Sequence, residues 1–266
     1  MNGRTEIGKI TLFRRILHLA ETTAVGVLCI IFLSGCMAHK NKITISLNFP
    51  RHPGDSIFIS RLSAGGTALI AALVPDEQGH ARVTLEAIAP AFYMVSNAVD
   101  KCVTLVIHPG ETVTLNGSLS SPATLVVEGS TDSRLLVDLN NHLAANVARL
   151  DSLARMYRDS TTEGNNLPLL ASLDSAALTI VSDQQDYNRK FIKDYPSSLV
   201  SIMALYQPLT ANKPVLDIFT DYSSFARVDS FLYPLFQSLE PVQLLHAEVV
   251  KAKEYFSQKI TNDKHE

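Results

Sequence analysis

Cysteine has the most nucleophilic side chain in this sequence, and only three are present: Cys29, Cys36 and Cys102. Three are too few for a four-cysteine zinc or iron–sulfur site or for a disulfide-dense scaffold. A reactive Cys102 would need a neighbouring cation such as Lys101, but adjacent residues of a strand point to opposite faces. Because apolar residues such as Val103 surround Cys102 in the sequence, we expect it to be buried and inert.

Histidine and serine show no local pattern that binds a metal or performs catalysis. No two histidines stand four residues apart, the spacing that directs two imidazoles of one helix at one metal ion. The hydrolase turn Gly-x-Ser-x-Gly is also absent. We therefore predict no metal, no cofactor and no catalytic residue from local motifs. The histidines that follow the N-terminal leader are His39, His52, His80, His108, His142, His246 and His265.

Three further groups of residues have a functional and a structural interpretation. Gly65-Gly66 could cradle a phosphate, but no helix signal follows it, so a hairpin turn is expected. The acidic group Asp217, Asp221 and Asp229 could perform acid–base chemistry, but solvated helix faces also account for these residues. Aromatic residues at helical spacing could line a groove, although we expect them in the core. They are Tyr222, Phe225, Phe231, Tyr233 and Phe236.

The N-terminus is typical of an export signal. Basic residues precede an uncharged apolar stretch over 24–33, and ten residues at 1.5 Å each cover about half of a ~30 Å bilayer core. The small residues Ser34-Gly35 follow and precede Cys36. This order predicts a signal peptide over 1–35 that ends in a lipobox, lipidation of Cys36, and a tether over 36–41. The alternative is a short buried helix with a chance cysteine.

Composition excludes other classes of protein. The 23 Lys and Arg residues are balanced by 26 Asp and Glu, so the net charge of −3 gives no attraction to nucleic acid. Hydrophobic residues make up 46% and charged residues 18%, which can fill an ordinary core and argues against a mainly disordered chain.

The segment 42–128 is predicted to be a β-rich domain. Lys42–Phe49 alternates strictly between apolar and polar residues, as a half-buried strand does. Seven similar runs follow, separated by turn signals such as Pro109-Gly110, which is typical of a tight hairpin. Eight strands at this spacing predict an antiparallel sandwich or an open barrel. The seven runs are Ser56–Leu62, Thr67–Val74, Ala81–Glu86, Ala91–Ser96, Lys101–His108, Glu111–Asn116 and Ala123–Glu128.

The segment 129–260 is predicted to be helical, because its apolar residues recur every three or four positions. Strands first and helices second predict an α+β fold. Ser130 or Thr131 should cap a first helix that pairs with a second, antiparallel helix starting near Pro168. A shorter helix should end at Tyr206. Three more helices are predicted over Lys213–Asp221, Ser224–Ser238 and Pro241–Ile260. Pro234 should kink or split the second of these three. A frayed tail is predicted over 261–266.

The lipobox and three internal segments resemble the N-terminal part of TlpA-like thiol–disulfide oxidoreductase lipoproteins of diderm bacteria. The segments are Leu105–Val113, Val127–Ser130 and Phe191–Ser198. The resemblance implies a β-rich domain of unknown function and a helical segment, which in that family precede a thioredoxin-fold domain. The redox motif of the family, Trp-Cys-x-x-Cys, does not occur in this sequence. No catalytic residue of the family can therefore be assigned here.

Together these features predict a lipoprotein of the cell envelope. The residues 37–42 that follow Cys36 contain no acidic cluster, so the resemblance implies the outer membrane and the periplasmic side. We expect a non-enzymatic module, anchored through the lipid on Cys36, that binds a periplasmic protein or a small ligand. The alternative is a truncated product or an accessory subunit of a TlpA-like oxidoreductase system.

Overall fold

The structure is a computed structural model that describes residues 41–49, 56–63, 65–97, 102–121, 124–162, 166–210 and 213–262. The predicted signal peptide, Cys36 and nearly all of the tether lie outside these residues, as do His39, His52 and His265. Within the described part of the chain, no helix combines the length and the hydrophobicity needed to cross a bilayer.

All eight strands predicted in the β-rich segment are present, with ends shifted by a few residues. In β1 the apolar residues Ile43, Ile45 and Leu47 are buried and the residues between them are not, as the alternation predicts. The strands are β1 Lys42–Asn48, β2 Ile57–Ser63, β3 Gly66–Leu73, β4 His80–Glu86, β5 Ala91–Asn97, β6 Cys102–Ile107, β7 Thr112–Asn116 and β8 Val126–Glu128.

The strands form two four-stranded sheets rather than a closed barrel. Sheet A has the order β4-β1-β7-β8 and sheet B the order β3-β2-β5-β6. All pairs are antiparallel except β1 and β7, which are parallel. Apolar residues of both sheets, such as Ile45 of sheet A and Ile59 of sheet B, belong to one buried cluster. The fold is therefore α+β, as predicted, and its strands form a sandwich.

Pro109-Gly110 forms a tight turn, but the predicted hairpin is wrong. The N–H of Glu111 donates to the carbonyl of His108 at 3.1 Å, and Gly110 has a φ of +91°, as the third position of a type II turn requires. However, β6 belongs to sheet B and β7 to sheet A. The N–H of Gly110 donates to Lys42 of β1 instead, because the turn delivers the chain to the other sheet. Gly65-Gly66 does lie at a hairpin, since Ser63 pairs with Gly66.

In the described part of the chain, five helices and a small strand pair follow the sandwich. Asn146 of the first helix donates to Gln184 of the second at 2.9 Å, and the predicted hairpin of these helices is confirmed. Ser130 accepts the N–H of Ser133 and is the cap of the first helix. The helices are α1 Thr131–Thr162, α2 Leu167–Asp194, α3 Val200–Tyr206, α4 Tyr222–Phe236 and α5 Glu240–Asn262, with β9 Pro208–Thr210 and β10 Lys213–Pro214 between α3 and α4.

One helix prediction is wrong, and one of the two effects expected of Pro234, a split of its helix, is absent. The segment Lys213–Asp221 is not helical: Lys213 pairs with Thr210 in a two-stranded sheet, and turns follow. The side chain of Asp217 accepts the N–H of Phe219, which satisfies the backbone without a helix. Pro234 does not split α4, which continues to Phe236. Because Pro234 lies in the last turn, few intrahelical hydrogen bonds depend on the residues beyond it.

The helices pack on the outer face of sheet B. Val106 of β6 belongs to the helical core with Leu136 and Leu199, whereas its neighbours Leu105 and Ile107 belong to the sandwich core. Ser133 of α1 donates to the carbonyl of Val106 at 2.7 Å. The continuous apolar run in β6 therefore reflects a strand that is buried on both faces.

Candidate functional site

An aspartate joins the sandwich to two helices at the start of α1. Asp132 Oδ2 lies 2.9 Å from His108 Nε2, and Asp132 Oδ1 accepts the hydroxyl of Ser198 at 2.7 Å. Ser198 Oγ also accepts the N–H of Val200 at the start of α3. The carboxylate, not the imidazole, is the central group, so this is not the order of a serine hydrolase triad. The network instead fixes the position of α3.

The environment of His108 favours its protonated form. The hydrogen bond with Asp132 raises the pKa of His108 above its ordinary value, and the charges of Asp132 and Glu111 act in the same direction. Partial burial opposes them by lowering the pKa, but this effect is smaller than that of the hydrogen bond. Protonation of His108 therefore strengthens the contact between the end of β6 and the start of α1.

The segments Leu105–Val113, Val127–Ser130 and Phe191–Ser198 meet at this network. His108 belongs to the first segment, Ser130 to the second and Ser198 to the third. Ser130 donates its hydroxyl to the carbonyl of Val106, and Asp132 lies between His108 and Ser198. Residues far apart in the sequence thus form a single junction between the sheets and the helices.

A second histidine–aspartate pair joins α4 to α5. His246 Nδ1 lies 3.0 Å from both carboxylate oxygens of Asp229, and its ring stacks on Tyr233 with centroids 3.7 Å apart. The carboxylate orients the imidazole, as in a general-base pair. The stacking covers one face of the ring and fixes the corner between the two helices.

Two members of the acidic group Asp217, Asp221 and Asp229 do not fit the expectation of solvated helix faces. Asp221 is only 5% exposed, accepts Nε of Arg189 at 2.8 Å and also accepts the N–H of Asp217. Asp217 itself is exposed in a turn, and Asp229 is paired as described above. The expectation is therefore wrong for Asp221 and Asp229. Arg189 of α2 compensates the burial of Asp221, and the imidazole of His246 in α5 forms a hydrogen bond with the half-buried Asp229.

The expectation of a buried Cys102 is also wrong, because this residue is exposed at the start of β6. Its neighbour Val103 is buried, and alternate residues point to opposite faces of a strand. The apolar neighbours that favoured burial, Val103, Leu105 and Ile107, share the face opposite to that of Cys102. Residues close in sequence were therefore a poor guide to its surroundings.

The aromatic group of α4 is mostly core, as expected. Phe225 is buried, and Tyr222, Tyr233 and Phe236 pack partly buried against the helical core. Phe231 differs, since it is 45% exposed.

An apolar cleft of about 450 Å³ lies between sheet B and the helices. One wall is the end of β2 and the start of β5, and the other is α3 with the corner between α4 and α5. Arg61 and Glu240 supply charged groups on opposite walls. Its principal apolar residues are Leu62, Phe92, Ile202, Met203, Leu239 and Leu244. The motifs of the sequence did not indicate these residues, since they belong to separate elements.

The two histidine–aspartate pairs hold the walls of the cleft. The network of Asp132 and Ser198 fixes α3, which carries Met203, and the pair of Asp229 and His246 fixes α5, which carries Leu244. A concave, mainly apolar site with few polar groups, placed between two parts of a fold, is typical of ligand binding. Among the described residues, no group of three or more metal-binding side chains occurs.

Comparisons with known proteins supply no family for this chain. No protein-family model matches the sequence, and no curated protein matches it. A solved structure of (S)-allantoin synthase is similar over 35% of this chain and 45% of its own, with 12% identity and a TM-score of 0.26. This chain thus spans less than half of that structure, and a similarity of this extent carries no argument about function.

Proposed function

We propose that this protein is a non-enzymatic binding module of the bacterial cell envelope, anchored by a lipid on Cys36 and facing the periplasm, at the outer membrane. The observation that supports binding is the apolar cleft between sheet B and the helices. Met203 is only partly buried and Leu244 is 55% exposed, so apolar surface is accessible there. Covering this surface with a protein segment or a small ligand would be favourable at about 25 cal/mol per Å².

Site-specific photocrosslinking tests the cleft. A benzophenone amino acid at Met203 in living cells should give a specific adduct. Leu244→Asp should abolish that adduct, because it places a charge on the apolar wall. Val250→Asp is the matched control, since Val250 is an exposed residue of the same helix outside the cleft. No adduct, or an adduct that survives Leu244→Asp, would contradict the proposal.

Lipid labelling tests the anchor separately. The chain should incorporate a labelled fatty acid and partition into detergent, whereas Cys36→Ala should do neither, since it lacks the acyl acceptor. Labelling of Cys36→Ala would refute the lipobox interpretation.

A second candidate function is an accessory subunit of a TlpA-like oxidoreductase system, and the exposure of Cys102 favours it. An accessible thiol can attack a disulfide of a partner, forming a mixed disulfide and releasing one partner thiol, with no net oxidation. Acid trapping of cells should then yield a mixed disulfide with the native chain that is absent with Cys102→Ser. Absence of any trapped disulfide with the native chain would remove this candidate.

A further inference from the structure

The outer face of sheet A carries a shallow depression of about 590 Å³, most of whose lining residues are polar and which is distant in the fold from the cleft on sheet B. Two rows of polar residues cross its strands. In one row Ser46 of β1 lies between Arg82 of β4 and Thr114 of β7, and in the other Asn48 lies between His80 and Asn116. These six side chains share one face, because paired residues of neighbouring strands point the same way.

Contacts between strands hold these side chains in place. Arg82 donates Nε to Ser46 Oγ at 3.0 Å, and Asn48 donates Nδ2 to Asn116 Oδ1 at 3.1 Å. Each contact uses only part of the hydrogen-bonding capacity, since a guanidinium has five N–H groups and an amide oxygen accepts twice. The remaining donors and acceptors are thus oriented before a ligand arrives, which lowers the entropic cost of binding.

The charges around the depression balance each other. Asp76 lies at its edge, where Oδ1 accepts the N–H of His80 at 2.7 Å and Oδ2 lies 3.8 Å from the imidazole. Arg82 lines the same depression and carries the opposite charge, so the net charge of the lining favours neither an anion nor a cation. Glu128 lies outside the lining, on the opposite edge strand of the sheet.

From this arrangement we propose that the depression binds a neutral oligosaccharide. Sugar hydroxyls both donate and accept hydrogen bonds, and they match a surface on which hydroxyl, amide and balanced charged groups lie side by side. This site is independent of the cleft and of the proposed function, because none of its residues lines the cleft.

The test is saturation-transfer NMR on the purified full chain, in a detergent without a sugar headgroup. The probes are the hexasaccharides of maltose, cellulose, chitin and mannan. At least one should receive saturation, with a dissociation constant in the millimolar range. Arg82→Ala and Asn116→Ala should each weaken binding at least fivefold. Thr84→Ala is the matched control, because Thr84 lies on the same face but outside the depression, and its binding should stay within twofold of the native chain.

Three results would overturn the proposal. The first is the absence of saturation transfer to all four sugars at 10 mM. The second is binding that Arg82→Ala and Asn116→Ala leave unchanged. The third is stronger binding of a sulfated hexasaccharide than of every neutral one, which would make the depression an anion site. Unchanged circular dichroism of the variants ensures that a loss of binding reflects the site.

Discussion

Gly129 connects β8 to α1 and should tolerate no side chain. It has a φ of +83°, and a Cβ built on it would lie 1.8 Å from the carbonyl oxygen of Thr112 in β7. The backbone conformation alone costs an alanine about 1–2 kcal/mol. Relief of the clash requires a shift of backbone and adds about 1–3 kcal/mol, as overpacking does. Gly129→Ala should therefore lower the free energy of unfolding by about 2–5 kcal/mol.

Gly66→Ala is the matched control. Gly66 also has a positive φ, +124°, but no described atom lies within 4 Å of its Cβ position. Its cost should be limited to the backbone term of about 1–2 kcal/mol. The difference between the two variants, about 1–3 kcal/mol, isolates the close approach of the junction to β7.

Urea unfolding followed by circular dichroism and tyrosine fluorescence gives both free energies, since the chain has 8 Tyr and no Trp. The denaturant slope should not change, because the same surface is exposed on unfolding. If Gly129→Ala and Gly66→Ala are destabilised equally, within about 0.5 kcal/mol, the packing of this junction against Thr112 is wrong. This conclusion holds whether the equal loss of unfolding free energy is large or small.

Three other variants or measurements test the remaining contacts. The pKa of His108 is raised in the folded state, so its protonation stabilises the fold fully at pH values below 6.5, the ordinary pKa of histidine. This stabilisation is lost as the pH rises through the folded-state pKa. Urea unfolding of His108→Gln between pH 5 and 8.5 should lack this pH dependence of the unfolding free energy. Asp221→Ala should lower the free energy of unfolding by about 2 kcal/mol, because the charge-assisted hydrogen bond with Arg189 is lost. Asp186→Ala removes an exposed partner of the same arginine and should lower it by less than about 0.5 kcal/mol. Equal losses in the two variants would contradict the buried ion pair of Asp221. Cys102 should react with a charged maleimide about as fast in the native chain as after denaturation, and strong native protection would contradict its exposure.

The order of elements could be predicted from local patterns. Alternation of apolar residues located β1 and the seven strands after it, because a strand buried on one face needs a period of two. The change of period at Gly129 located α1, and Ser130 was correctly among its possible caps. The same alternation also accounts for the exposure of Cys102, because Val103, Leu105 and Ile107 point to the opposite, buried face of β6.

Pairing could not be predicted from these patterns. The turn at Pro109-Gly110 looks like a hairpin locally, yet β7 pairs in parallel with β1 because sheet A, distant in sequence, provides the partner. The segment Lys213–Asp221 has apolar residues at helical spacing, but its strand pair with Thr210 and the side chain of Asp217 satisfy the backbone instead. Pairing with a strand distant in sequence overrode the local preference in the first case, and competing short-range hydrogen bonds overrode it in the second.

The sequence alone determined which residues are apolar, where strands give way to helices, and the predicted lipid anchor at Cys36. Only the tertiary structure decided how those elements meet: it brought Leu62 and Met203 to one cleft, and it placed Asp132 between His108 and Ser198. The physical reason is the distance along the sequence over which each interaction acts. Periodicity and capping act within a few residues, whereas a cleft or a buried ion pair forms between side chains whose contact depends on the packing of the whole chain.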